Sequence, residues 1–358
     1  MFTYPVLSSA SPITREYFLQ GDDSADQVHY GYYDLETGTT TLLTTVNVTS
    51  DFREAVAFVG DGSRFLTNND VNDIEVWDYN AGTPTLLNRR ESVSRQTAYA
   101  VQMDEANPGY FVCGPEQLYG SGITYALLNG DNSFTDITAS QTASTSGERY
   151  RGVMLPFRNE QNKFVPMISV SSGTGYDIVS LDPDGASGLT IDWANSVNHV
   201  QGTGIAWSHD YDLRGGKYYF TASTTSSIMI YSYEPATGTI ALVWSGAPPD
   251  GSQADEVAMV NGYLLLTNVG PPRTYATYSY SASGLVLVDE VATPDTTGSG
   301  AAYVGKYSRL VYRFRGSGFG RVYQVTSSGE ITEHGTTLNE TASNRINYLF
   351  DTSLVGFA

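Results

Sequence analysis

Two stretches of this chain concentrate oxygen ligands. Asp22, Asp23 and Asp26 crowd one short segment, and Asn68, Asn69, Asp70 and Asp73 crowd another. Carboxylate and amide oxygens suit a hard divalent cation such as Ca²⁺, which takes roughly six to eight of them. Asp22, Asp26, Asp70 and Asp73 are therefore the candidate metal ligands. Their spacing matches no EF-hand loop, because the turn glycine and the closing glutamate are missing. Solvated Asx turns account for the same residues, so neither a metal nor any other cofactor is expected.

Nitrogen and sulfur chemistry is sparser. The histidines are His29, His199, His209 and His334, none in an HExxH or HxH arrangement, and Cys113 stands alone. No zinc cluster can be drawn from that set, nor an intramolecular disulfide. Cys113 ends the apolar run Tyr110-Phe111-Val112, where a small buried side chain is expected rather than a reactive thiol. In Ser208-His209-Asp210-Tyr211-Asp212 a carboxylate sits beside an imidazole that it could orient. That segment reads as a short turn, with a structural role. No GxSxG elbow marks a nucleophilic serine. Arg315-Gly316-Ser317-Gly318-Phe319-Gly320 is glycine-rich, but no helix follows it, so it is no dinucleotide loop.

Composition narrows the partners. Across 358 residues, 19 Lys and Arg face 38 Asp and Glu, a formal charge of −19. Such a surface repels phosphate backbones, which argues against nucleic acid. No run approaches ~18 apolar residues, so no membrane insertion is expected. The first residues lack a basic segment followed by an apolar one, so no signal peptide is visible. A soluble chain is expected, cytoplasmic or part of a virus particle.

The elements that would position these residues repeat. Seven segments share one form: alternating aromatic and aliphatic residues, a tight turn with Gly, then a second apolar run. Tyr33-Asp34-Leu35-Glu36-Thr37-Gly38 precedes TTTLLT, Trp77-Asp78-Tyr79-Asn80-Ala81-Gly82 precedes TPTLLN, and Tyr231 to Gly238 precedes TIALVW. Glycine supplies the positive φ of such turns without steric cost. A second pair of apolar runs lies upstream of most hairpins, as in EAVAFV-GDGSR-FLTNN, so each repeat is four antiparallel strands, a to d. Repeats of ~40–50 residues built this way are propeller blades. Ala57, Ala100, Ala206, Ala258 and Ala302 recur near the centre of strand a, where strands crowd an axis.

These units resemble the blades of the seven-bladed propeller superfamily, WD40, YVTN and lactonase-like repeats included. Gly60-Asp61-Gly62-Ser63-Arg64-Phe65 is similar to their a–b turn, and Trp77-Asp78 matches the end of a WD40 strand c. The Gly-His pair of WD40 repeats is missing, so the resemblance identifies no single family. It implies an all-β chain: one seven-bladed β-propeller closed by N- and C-terminal strands that share a blade. The expected blades are 16–45 plus 345–351, 54–88, 98–138, 151–193, 203–244, 255–291 and 300–334.

Ligands of propellers usually meet the face built from b–c and d–a loops, and here the d–a loops read as long and rich in Ser, Thr and Gly. Asp51, Glu91, Asp250, Asp255 and Asp295 mark that expected binding face. The short c–d turns, with Gly38 and Gly238, read as scaffold. With no catalytic constellation, the leading expectation is a non-catalytic structural or interaction protein, a docking platform for other proteins. Subunits of a larger assembly such as a phage or virus capsid or tail are the partners this suggests. Two alternatives stand beside it: a propeller hydrolase or lactonase with a metal at the channel mouth, and a glycan-binding module suggested by the abundant tyrosine.

Overall fold

The structure is a computed structural model. It describes residues 14–22, 27–47, 52–59, 64–69, 74–78, 84–90, 98–104, 107–115, 123–141, 149–158, 164–171, 176–199, 205–224, 227–249, 254–268, 274–292, 302–305, 308–313, 318–340 and 348–351. Nearly all of these are β-strand, and the described residues include no α-helix. They form seven sheets of four antiparallel strands each. Six sheets are continuous in the chain. The other, sheet 1, joins Arg15–Asp22, Gln27–Asp34 and Thr39–Asn47 to Tyr348–Asp351 from the far end of the sequence. In that sheet Phe18 pairs with Phe350 and Leu19 with Leu349.

Sheets 2 to 7 start at Phe52, Ala98, Arg149, Ile205, Ala254 and Ala302. The first strands of successive sheets pack on one another, so these strands form the inner side of the assembly. The third strands are buried on both faces. Ile228–Glu234 reads BBBBBBi and Thr274–Ser281 reads BBBBBiBe, because a neighbouring sheet covers each side. Last strands are outer edges, and Thr39–Asn47 and Gly284–Ala292 are largely exposed.

Each described core cluster spans two consecutive sheets. Val59, Leu66, Ile74 and Val76 of sheet 2 meet Met103, Phe111, Ala126 and Leu128 of sheet 3. Ile228 and Ile230 of sheet 5 likewise meet Val257, Met259, Leu264 and Leu266 of sheet 6. At about 1.5–3 kcal/mol per fully buried aliphatic or aromatic side chain, these seams supply most of the cohesion. A further regularity was not foreseen: a register shift falls between the third and fourth strands of every sheet. In sheets 1, 2, 3, 5, 6 and 7 the fourth strand carries one extra residue there: Leu43, Leu87, Ile137, Val243, Val288 and His334. Such bulges add twist and blunt an exposed edge.

Some expected boundaries need correction. Ser208 to Asp212 is not a turn but lies inside the strand Ile205–Arg214, at a bulge between Trp207 and Tyr211. The turn comes later, at Gly215-Gly216, where both residues have positive φ. Several connections are also shorter than they read, since Leu189–His199 and Ile331–Glu340 continue as strand into the expected d–a loops.

Gly38 is no neutral scaffold position. Its φ is +68°, and a Cβ there would lie 2.6 Å from the His334 carbonyl oxygen of sheet 7. Gly38→Ala should therefore destabilise by about 2 kcal/mol or more, through backbone strain and a clash that backbone cannot relieve. Gly130 is the control: nothing lies within 4 Å of its Cβ position. Denaturant melts of the two variants should differ by that amount, and equal midpoints would remove Gly38 from the seam.

Candidate functional site

Buried polar side chains gather at the end of the molecule that carries the short turns. Between sheets 7 and 1, the fully buried Glu16 carboxylate accepts the Tyr312 hydroxyl at 2.6 Å and the Ser308 hydroxyl. Beside it the Tyr33 hydroxyl meets His334 Nδ1 at 2.7 Å, and the Tyr33 and Tyr312 rings meet edge to face at 5.2 Å. Burial pushes both phenols above the usual tyrosine range, with the Glu16 charge adding to the effect at Tyr312 and that of Asp34 at Tyr33. Thr40 Oγ1 also donates to the Thr336 carbonyl at 3.0 Å. A comparable tie joins sheets 3 and 4. Asp104 accepts the Tyr125 hydroxyl at 2.8 Å, and that hydroxyl accepts the Gly185 N–H at 3.0 Å. Both groups are enclosed, so they fasten sheets rather than meet a ligand.

A third group reaches the inner edge. The hairpin turns Gly215-Gly216 and Asn261-Gly262 have positive φ at both residues, the type I′ geometry. Arg214–Lys217 and Val260–Tyr263 flank these turns as paired residues. Hydrogen-bonded pairs alternate along an antiparallel ladder. The carbonyls of Tyr211 and Met259 therefore point away from the second strand, toward the free inner edge. Arg309 of sheet 7 spans both: its Nη2 donates to Tyr211 at 3.0 Å and to Met259 at 3.1 Å. The same nitrogen lies 3.6 Å from Asp212 Oδ1. Arg309 also holds φ +55°, a conformation that costs energy without glycine.

Asp212 is fixed from a second side, where its Oδ2 accepts the Gly262 N–H. Two residues on, and so on the same sheet face, Arg214 lies over the rings of Tyr219 at 5.0 Å and Tyr280 at 4.9 Å. Burial raises the Tyr280 phenol, and its hydroxyl is buried without a hydrogen-bond partner among the described residues. The outcome is one carboxylate and two guanidinium groups where the inner strands of sheets 5 and 6 meet the first turn of sheet 7. Asp212 and Arg309 keep 12% and 25% of their side-chain surface, enough for contact with water. A carboxylate there can take a proton from water, and guanidinium N–H groups can stabilise a developing oxyanion.

The residues singled out by sequence fare differently. Asp26, Asp70, Asp73, Asp51, Glu91, Asp250 and Asp295 lie outside the described residues. Asp22 closes the strand Arg15–Asp22 and Asp255 is the second residue of the strand Ala254–Val260, so both stand at or next to strand ends. Among the described residues no group of three His, Cys, Asp or Glu is placed to hold a metal. Trp77 donates its indole N–H to the buried Glu75 at 3.1 Å, and Arg89 pairs with the same carboxylate at 2.8 Å. No helix among the described residues is long and apolar enough to cross a membrane. Asp212, Arg214 and Arg309 were missed as a site; the last is set apart by 98 residues from the Tyr211 carbonyl that it binds.

No family model and no curated protein sequence matches the chain. Solved structures do. A Bacteroides fragilis protein assigned as a 6-phosphogluconolactonase is 12% identical, with a TM-score of 0.69 over 96% of this chain and 100% of that one. The periplasmic gluconolactonase of Pseudomonas aeruginosa is 14% identical, with a TM-score of 0.68 over 94% of this chain and 99% of that one. The β-propeller domain of Myceliophteria thermophila Cps50 is 11% identical, with a TM-score of 0.52 over 86% and 95%. These likenesses show a β-propeller fold. They also correct the expectation of a non-catalytic docking platform or virion component. Two proteins that the chain matches along their whole length carry lactonase names, which favours the hydrolase alternative.

Proposed function

We propose that this chain is a propeller hydrolase that opens lactone rings. The observation that carries the reading is the full-length likeness to lactonase-named propellers, at TM-scores of 0.67–0.69 against 0.52–0.54 for Cps50 and Sqt1. The seven sheets form one closed ring of blades in this reading, in the order that the repeats give, with the last strands of sheets 4 and 7 running past the expected limits at 193 and 334. The hydrogen bonds from sheet 1 to sheet 7 support closure. Asp212 is the general base and Arg309 the oxyanion donor. Water oxygen attacks the lactone carbonyl carbon while its proton passes to Asp212. The ring C–O bond then breaks, the alkoxide takes that proton back, and a hydroxy acid leaves. Arg214, stacked on two tyrosines, is placed to hold the carboxylate that forms.

Acid release from a panel of γ- and δ-lactones of sugar acids, followed at constant pH, tests this. Asp212→Asn and Arg309→Gln should each lower kcat by about 100-fold or more with the fold intact. Arg214→Gln should mainly raise KM. A panel with no hydrolysis above the solvent rate overturns the activity. Full activity in Asp212→Asn, combined with loss in Asp22→Ala or with chelator, overturns this assignment of residues and moves the chemistry to the opposite, loop-bearing end.

A further inference from the structure

Among the described residues only three other than glycine hold a positive φ: Asn132, Asn261 and Arg309. Asparagine tolerates that conformation because its short polar side chain can bond to nearby backbone, whereas arginine has no such compensation. A strained arginine persists only where its surroundings over-determine it. Arg309 is held from two sides. It lies in the connection between the first two strands of sheet 7, Ala302–Val304 and Leu310–Arg313. Its side chain is held by sheets 5 and 6, through the carbonyls of Tyr211 and Met259. Its backbone is tied to sheet 1 through the residue before it. The Ser308 hydroxyl donates to Glu16 Oε2 and accepts the Leu310 N–H at 3.1 Å. Two backbone bonds tighten the same connection: Gly305 N–H to the Leu310 carbonyl at 2.8 Å, and Arg309 N–H to the Gly305 carbonyl at 3.1 Å. Gly305 leaves no slack, since a Cβ there would overlap both the Glu16 carboxylate and the Ser308 hydroxyl.

We infer that Ser308 is a positioning residue for Arg309 and acts by bracing against Glu16, so that the guanidinium is set on the inner edge only when sheet 1 is docked on sheet 7. The inference rests on the reading of Arg309 as the oxyanion donor. Glu16 is fully buried on the strand Arg15–Asp22, and that strand is paired by Tyr348–Asp351 from the far end of the chain. Its carboxylate is therefore placed by the sheet rather than by solvent. Ser308 binds it, and at the next residue a φ of +55° accompanies a side chain that crosses to sheets 5 and 6. Without the Ser308 ties, Arg309 relaxes toward negative φ, and its side chain leaves the Tyr211 and Met259 carbonyls. A catalytic group misplaced by about 1 Å loses roughly 100-fold in rate. The loss falls on kcat, because a donor to a developing charge acts on the transition state more than on the bound substrate. Tyr312 donates to the same Glu16 oxygen at 2.6 Å, but from the strand Leu310–Arg313. It shares the carboxylate with Ser308 and has no part in setting Arg309.

Ser308→Ala and Tyr312→Phe each remove one hydroxyl from the same buried carboxylate, so the pair of variants tests the assignment. Ser308→Ala should lower kcat for lactone hydrolysis by roughly 10- to 100-fold and leave KM within about twofold. Tyr312→Phe should lower the thermal midpoint by at least as much as Ser308→Ala, yet keep kcat within about twofold. Ser308→Thr keeps the hydroxyl and should restore most of the rate. With Arg309→Gln already in place, Ser308→Ala should cost no further rate. An unchanged kcat in Ser308→Ala, or an equal loss in Tyr312→Phe, overturns the inference. Denaturant melts read the same coupling without any activity. The midpoint loss of the double variant, Ser308→Ala with Arg309→Gln, should fall short of the sum of the single losses, because the Arg309 contacts go with the Ser308 ties. Additive losses overturn the coupling even in an active enzyme. A wild-type chain inert on every lactone, with losses that fall short of the sum, removes the hydrolase reading and supports the coupling.

Discussion

A chain ending just before Tyr348 should lose most of its thermal stability or fail to stay in solution. The strand Tyr348–Asp351 is the inner edge of sheet 1 and pairs with Tyr17 to Gln20. Phe18 and Leu19, which pair with it, are 1% and 0% exposed in the intact chain. Losing part of the burial of two such side chains forfeits up to about 3–6 kcal/mol, and a free edge with unpaired N–H and C=O groups invites aggregation. The loss is comparable with the whole stability of many domains, about 5–15 kcal/mol. Differential scanning calorimetry and light scattering on the truncated chain would show it. A midpoint within a degree or two of the full chain would mean that sheet 1 stands without its last strand, and the proposed ring closure would fall with it.

Raising the pH past about 10 should unfold the protein cooperatively rather than titrate its tyrosines one by one. Six phenols are raised by burial: Tyr33, Tyr125, Tyr231, Tyr233, Tyr280 and Tyr312. Tyr233 is pushed up to about 12 by burial first, then by the carboxylates of Asp182 and Asp192. At Tyr125 the hydrogen bond to Asp104 adds to burial. The sign follows from proton counts. In the unfolded chain tyrosine ionises near pH ~10, whereas the folded chain keeps these phenols protonated. Above that pH the unfolded state holds fewer protons, so stability falls as pH rises. Each retained proton is worth up to about 1.4 kcal/mol per pH unit, and six together exceed the stability of most domains within two units. Phenolate absorbance and far-ultraviolet circular dichroism should therefore change together between pH ~10 and ~12. Ionisation of all tyrosines with the strand signal intact would overturn the burial assigned to them. Tyr312→Phe would isolate one contribution. It also leaves Glu16 short of a hydrogen bond to a buried charge, a loss of about 1.5–3 kcal/mol at neutral pH.

Much of the repeat was legible because it is local. Strand alternation has a period of two residues, and a hairpin turn that needs positive φ favours glycine or asparagine. Gly38 and Gly238 were named as turn residues and both have positive φ, at 68° and 70°. The odd strand near Tyr348 was legible for a different reason: one unit of three strands needs a fourth. Function was misjudged because motif reading looks for residues close together in sequence. Tyr211, Met259 and Arg309 come from three different sheets, and no spacing along the chain announces them.

The sequence by itself determined most of the strands and hairpins, which depend on residue type and short-range order, and the sharing of sheet 1 between distant segments, which follows from counting strands per repeat. Only the tertiary structure decided what lies between sheets. Whether a seam is apolar, as with Leu66 against Phe111, or polar, as with Glu16 beneath Tyr312, depends on which faces the sheet packing brings together. It also decided that Arg309 ends on the inner edge while Gly38 sits against His334. Those outcomes arise from twist and packing accumulated over many strands, a quantity no single stretch of residues encodes.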